Sequence, residues 1–194
     1  MTRTATEVLI GTGTLYVGPL GTVQPASPAA VPDAAFKEIG FSEEGWVFAV
    51  SREFAKLVPA ETVDPIKILQ TSRELHMRGN LWQASFDNLK LALGGGTVTT
   101  VAAAGAVPEY KKFVPVDATD AAPTYYTLLF RSPGTEVGGV SQVRELYIPL
   151  CTSVGAVELP ARKAPAVSTL AIDFELQKPD AGPIFEMREL TGVV

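Results

Sequence analysis

The sequence predicts a mainly β protein, a β-sandwich or partly closed barrel with one short flanking α-helix and long loops. Three observations lead there. The 194-residue chain carries 17 Gly and 15 Pro, more punctuation than a helical bundle tolerates. Apolar and polar residues alternate with period two in several stretches, most cleanly at residues 167–177. A helical stripe occurs in one place, residues 85–93.

Residues 7–17 read as a first strand, with Leu9, Leu15 and Val17 apolar and Gly11 and Gly13 between them. Residues 18–35 hold Pro19, Pro25, Pro28 and Pro32 and almost no charge, which reads as an exposed, extended loop. From Trp46 to Val58 a strand follows, with Trp46, Phe48 and Val50 alternating against Val47 and Ala49. Pro59 and Pro65 bracket a turn-prone stretch. A second long strand then runs from Ile66 towards Leu81, apolar at Ile66 and Ile68 and mixed at Arg73, Glu74 and Arg78.

Ser85 is placed to cap the helix, because its hydroxyl accepts a bond from an otherwise unpaired amide. Phe86, Leu89 and Leu93 form its apolar stripe, and Gly94 stops it in a left-handed conformation. So short a helix is marginal alone and is expected to dock that stripe on a sheet. Further strands are expected at residues 124–131, 144–154, 167–177 and 183–190. Pro149 has no amide hydrogen and implies an edge or a bulge in the second of these. Leu170, Ile172, Phe174 and Leu176 point one way, and Ala171, Asp173 and Glu175 the other. The expectation is one domain, residues 1–194, with exposed loops at 18–35, 52–65 and 94–123.

Composition narrows the function. With 46% hydrophobic and 19% charged residues, the chain buries a core without staples. One Cys151 and one His76 supply neither an internal disulfide nor a structural zinc site. Residues 1–10 carry Arg3 and Glu7 and have no apolar run of signal-peptide length, so synthesis and folding in a cytoplasm are expected, with no membrane partner. The net charge is −5 and the cations are scattered, which disfavours gripping nucleic acid.

No catalytic, cofactor-binding or metal-binding set emerges, so no enzyme and no cofactor are expected. His76 lacks a G-x-S-x-G partner, the nearest run being Gly139-Val140-Ser141-Gln142-Val143. Gly11-Thr12-Gly13 lacks the third glycine of a dinucleotide loop, and Gly94-Gly95-Gly96 follows a helix instead of opening one. Asp173 and Glu175 share a strand face roughly 7 Å apart, but solvated residues on a half-buried strand look the same.

The order of segments is more informative. The run Ile39-Gly40-Phe41-Ser42-Glu43-Glu44-Gly45-Trp46 leads into the first long strand. Asp64-Pro65-Ile66-Lys67-Ile68-Leu69-Gln70-Thr71 leads into the second, and residues 83–94 supply the helix and its stop. This half resembles the tail tube (major tail) proteins of long-tailed, siphovirus-type bacteriophages. Arg144-Glu145-Leu146-Tyr147-Ile148-Pro149 is similar to the family's late strand, and residues 170–185 to its closing strand and turn.

That resemblance implies a structural virion protein that self-assembles into hexameric rings, stacked as a hollow tube for viral genome ejection. Implied partners are copies of itself, a tape-measure protein and tail-tip and terminator proteins, with DNA passing through unbound. The implied location is the virion tail after synthesis in the host bacterial cytoplasm. The resemblance also implies that a long loop, here residues 52–65, reaches the next ring. Phe54, Leu57 and Val58 would be its apolar anchors, Glu61 a further contact residue, and Pro59 and Pro65 would stiffen it. Phe54 and Leu57 read equally well as the continuation of a core-facing strand. Two other functions fit the same fold: a tail-terminator, distal-tail or secretion-tube ring protein, and a β-sandwich carbohydrate-binding module. Trp46 and Trp82 lie in separate segments, which does not favour the sugar binder.

Overall fold

Alternating strands account for nearly all regular structure in the computed structural model. It describes residues 13–58, 64, 66–105, 107–116, 122–132, 136–137, 140–141, 143–158 and 168–190. The strands are β1 (Thr14–Pro19), β2 (Lys37–Glu38), β3 (Ser42–Leu57), β4 (Lys67–Leu81), β5 (Thr97–Val101) and β6 (Tyr110–Val114). They continue with β7 (Tyr125–Ser132), β8 (Glu136–Val137), β9 (Val140–Ser141), β10 (Arg144–Ser153), β11 (Leu170–Leu176) and β12 (Glu186–Glu189). One helix, α1 (Phe86–Ala92), follows β4.

Eight strands form the main sheet in the order β2-β1-β7-β10-β11-β4-β3, with β12 also paired to β10. The pairings are antiparallel throughout. Strand β10 changes partners along its length. Arg144 to Tyr147 pair with β12, and Cys151 to Ser153 pair with β11. Between these halves the register with β7 shifts from Ile148 to Cys151. Pro149 sits in that shift because it has no N–H to give to the ladder, so the bulge expected from the sequence is present.

The handover folds the sheet into two layers, a β-sandwich. Leu15, Val17, Leu128, Leu146 and Ile148 come from one side, and Leu75, Met77, Ile172 and Phe174 from the other, all in one buried core. Tyr126 meets Phe174 edge-to-face across it at 6.3 Å, a favoured aromatic geometry. In β11 the apolar alternation is realised, since Leu170, Ile172, Phe174 and Leu176 are all buried. Gly79 lies directly opposite Trp46, and a Cβ there would come within 2.6 Å of the indole. Glycine is what lets Trp46 lie down on the strand.

The proline-rich residues 20–35 form no helix or strand, as a loop should, but they are tied down. They are strapped over the second face of β7, β10 and β12. Tyr147 Oη donates to the Thr22 carbonyl at 2.9 Å, and the Gly21 N–H donates to Thr127 Oγ1 at 3.1 Å. Arg188 reaches the Pro25 and Ala26 carbonyls at 3.0 and 3.3 Å. A segment poor in N–H donors leaves its carbonyls unclaimed, and side-chain donors from the sheet take them. Beneath the strap Glu145 is fully buried, its Oε2 gripped by Arg131 at 2.7 Å and its Oε1 3.4 Å from Arg188.

The stretch 94–123 also contains structure that the alternation did not announce. β5 and β6 form a separate two-stranded sheet, Thr97 opposite Val114 and Val101 opposite Tyr110. The strand expected at 7–17 is seen from Thr14 onwards, and residues 7–12 lie outside the described residues.

Candidate functional site

The most unusual feature is the outer half of the β3–β4 pair. Near the core, Phe48 faces Met77 and Val50 faces Leu75, and both β4 residues are buried. Beyond Val50 the packing stops, yet the ladder continues to Leu57 opposite Lys67. Every residue in 51–57 and 66–71 is exposed. At about 3.4 Å per residue, residues 51–57 carry this ribbon about 20 Å past the core. The strand read at Trp46–Val58 is thus realised as far as Leu57, and it runs through the first part of the segment 52–65 that the sequence also reads as an exposed loop.

A bulge separates this arm from its root. Glu53 pairs with Ser72 but Phe54 pairs with Gln70, so Thr71 is the extra residue on β4. Side-chain alternation then assigns two faces. The face continuous with the core carries Arg52 opposite Arg73, then Phe54, Lys56, Ile68 and Gln70. The outer face carries Glu53, Ser72 and Glu74, then Ala55, Leu57, Lys67 and Leu69. Phe54 is 55% exposed and Ile68 57% on the first face, and Leu57 is 47% exposed on the second. Among the described residues no layer covers this ribbon, which is apolar and exposed on both faces and marks a contact surface.

Phe54, Leu57 and Val58 are exposed on the arm, away from the core. Glu61 lies outside the described residues. Sequence reasoning missed Ile66, Ile68 and Leu69, which are exposed beside them, and missed the Arg52–Arg73 opposition. Only the register reveals that opposition.

The helix is capped as its sequence indicates, with Ser85 Oγ accepting from the Asn88 N–H at 3.1 Å and Gly94 at φ +69°. Its docking differs from the stripe. Asn88 and Ala92 are buried, and Leu89 packs against the core margin. Phe86 and Leu93 are exposed. Phe86 instead stacks on Phe113 of β6, ring centroids 6.2 Å apart. The cause is Asn88, whose amide donates to the Ile39 and Gln83 carbonyls at 2.9 and 2.8 Å and rotates its own face inward.

The remaining chemistry-bearing residues are structural ties. Asp173 lies 2.8 Å from His76 Nδ1 and 3.0 Å from Arg78 Nε, linking β11 to β4. Cys151 is fully buried and its Sγ donates to the Tyr126 carbonyl at 3.4 Å; burial raises its pKa far above the ordinary thiol range, the backbone bond opposing weakly. Among the described residues no group of three or more His, Cys, Asp or Glu is placed to hold a metal ion. No described helix is long and apolar enough to cross a membrane.

The sequence matches the phage tail tube protein family over residues 1–126 of 194. The chain belongs to that family. No curated protein matches it. As a tail tube protein it is a structural component of the phage tail, built to assemble with many copies into a tube. The matched span contains the whole β3–β4 pair, α1 and the β5–β6 hairpin.

Proposed function

We propose that copies of this chain close into hexameric rings and that the rings stack into the hollow tail tube through which DNA is delivered to the host. The observation that carries this reading is the β3–β4 arm, a ribbon of a tail tube subunit that is apolar on both faces and that no described residue covers. Assembly supplies the covering layer. It also resolves the open edge of β3, the last strand of the main sheet, which in a lone subunit invites uncontrolled pairing.

The arm carries the contact from one ring to the next, with Phe54, Leu57 and Val58 as anchors and Glu61 as a further contact residue. If each arm contributes roughly 2 kcal/mol, six act together once one has oriented the ring, so a weak contact suffices. The helix docks its own side of the subunit through Leu89 and leaves Phe86 and Leu93 at the surface. A subunit of net charge −5 suits a bore through which DNA slides, because it offers no counterion release to hold the strand. The tape-measure, tail-tip and terminator proteins are the natural further partners of such a tube. The single domain acts without catalysis or cofactor.

Negative-stain electron microscopy of the purified protein across a concentration series tests the reading. Hollow tubes or rings with six-fold averages are expected. A monomer at every concentration and salt level, by light scattering and by microscopy, would overturn it.

A further inference from the structure

The arm's two faces differ in charge as well as in direction. On the core-side face Arg52 lies directly opposite Arg73, with Lys56 further out. On the outer face Glu53 lies opposite Ser72 and Glu74 opposite Ser51. Among the described residues Arg52, Arg73 and Glu74 make no ion pair, and Glu53 accepts a hydrogen bond from Ser72 Oγ at 3.1 Å. Two arginines opposed across a strand pair repel each other in a lone subunit, a pairing that sheets avoid unless an anion sits over it.

The anions match that position. Glu53 follows Arg52 by one residue and Glu74 follows Arg73, each on the reverse of the ribbon. Placing one arm on another, at the roughly 10 Å spacing of stacked sheets, brings the Glu pair of one over the Arg pair of the next. The apolar residues then align in the same sense, Phe54 and Ile68 of one arm over Leu57 and Leu69 of the other.

We infer that neighbouring copies of this chain pack arm on arm, the Arg52–Arg73 face of one against the Glu53–Glu74 face of the next. This rests on the tube reading and deepens it. Such a contact is heterologous: each copy offers one face and receives on the other, so it propagates through an assembly instead of ending at a dimer. Charge sets the direction in which copies add, and the apolar residues supply the adhesion.

The test uses two full-length variants, Arg52→Glu with Arg73→Glu, and Glu53→Lys with Glu74→Lys. All four residues stand outside the core, so circular dichroism and thermal melting should match wild type. Each variant alone then presents like charges at every contact. The protein concentration needed for assembly, followed by light scattering and microscopy in low salt, should rise more than about ten-fold. A one-to-one mixture should assemble at the wild-type concentration, because the variants alternate with opposite charges facing. That gap should narrow in high salt.

Both folded variants assembling alone like wild type would overturn the inference. So would normal assembly of the Glu53→Lys, Glu74→Lys variant alone, which would mean that like faces meet. A mixture no better than its parts would also refute it. Binding of a DNA duplex lost only in the arginine variant, with assembly untouched, would name nucleic acid as the occupant and refute it too. A wild-type protein that never assembles is a different result: the tube reading itself fails.

Discussion

Replacing Glu145 with Gln removes one charge from the most buried ionic group among the described residues. Glu145 is fully buried, while the Arg131 and Arg188 side chains are 14% and 25% exposed. Arg131 donates to Glu145 Oε2 through both Nε and Nη2, at 3.0 and 2.7 Å. The amide keeps the shape but turns a second set of donors towards the guanidinium and leaves a buried cation unpaired. Breaking a buried pair from one side costs about 3–5 kcal/mol, and the partial exposure of both arginines places this case near the lower end. For a domain of this size about 3 kcal/mol lowers Tm by roughly 6–12 °C. Scanning calorimetry of the unassembled subunit reads this directly. The double variant Arg131→Met with Glu145→Leu should recover most of the loss, since Arg188 retains the Pro25 and Ala26 carbonyls. A single variant melting within about 2 °C of wild type, or a double variant no better than the sum of its parts, would refute the reasoning.

Three further outcomes are expected. Asn88→Ala leaves two carbonyls without their donor, one of them in the core, and should cost about 1–3 kcal/mol by denaturant titration. Leu89→Ala should cost about 2 kcal/mol, the low end for a core leucine, because its side chain sits at the core margin; an unchanged midpoint would mean that it faces solvent. Cys151 should resist a thiol reagent in the native protein and react on unfolding, and since its folded pKa is raised, its contribution to stability should fade as pH rises through the unfolded value of about 8.5. Rapid native labelling at pH 8 would contradict its burial.

How far the sequence revealed this depends on the distance over which each feature is encoded. The β11 alternation, the Ser85 cap, the Gly94 stop and the Pro149 bulge are local, and each is realised. The β5–β6 hairpin was hidden because Val98 to Val101 sit between a glycine run and an alanine-rich turn, and only pairing with β6 makes them a sheet. The strap over residues 20–35 was illegible for a related reason: its partners, Tyr147 and Arg188, lie more than a hundred residues away. Phe54 and Leu57 read alike as core or as arm in sequence. Exposure separates the two, and exposure follows from where the opposite layer ends. The two charged faces of the arm required the cross-strand register, including a bulge at Thr71 that nothing in the sequence marks.

The central claim is that the projecting β3–β4 arm joins tail tube subunits while contributing nothing to the fold of each. The most direct measurement compares wild type with Phe54→Ser, Leu57→Ser by electron microscopy and calorimetry on the same samples. Both side chains are exposed, so the melting temperature should stay within about 2 °C of wild type while tubes give way to single rings or free subunits. Tubes of normal length from a normally folded variant would contradict the account, and so would a variant that fails to fold.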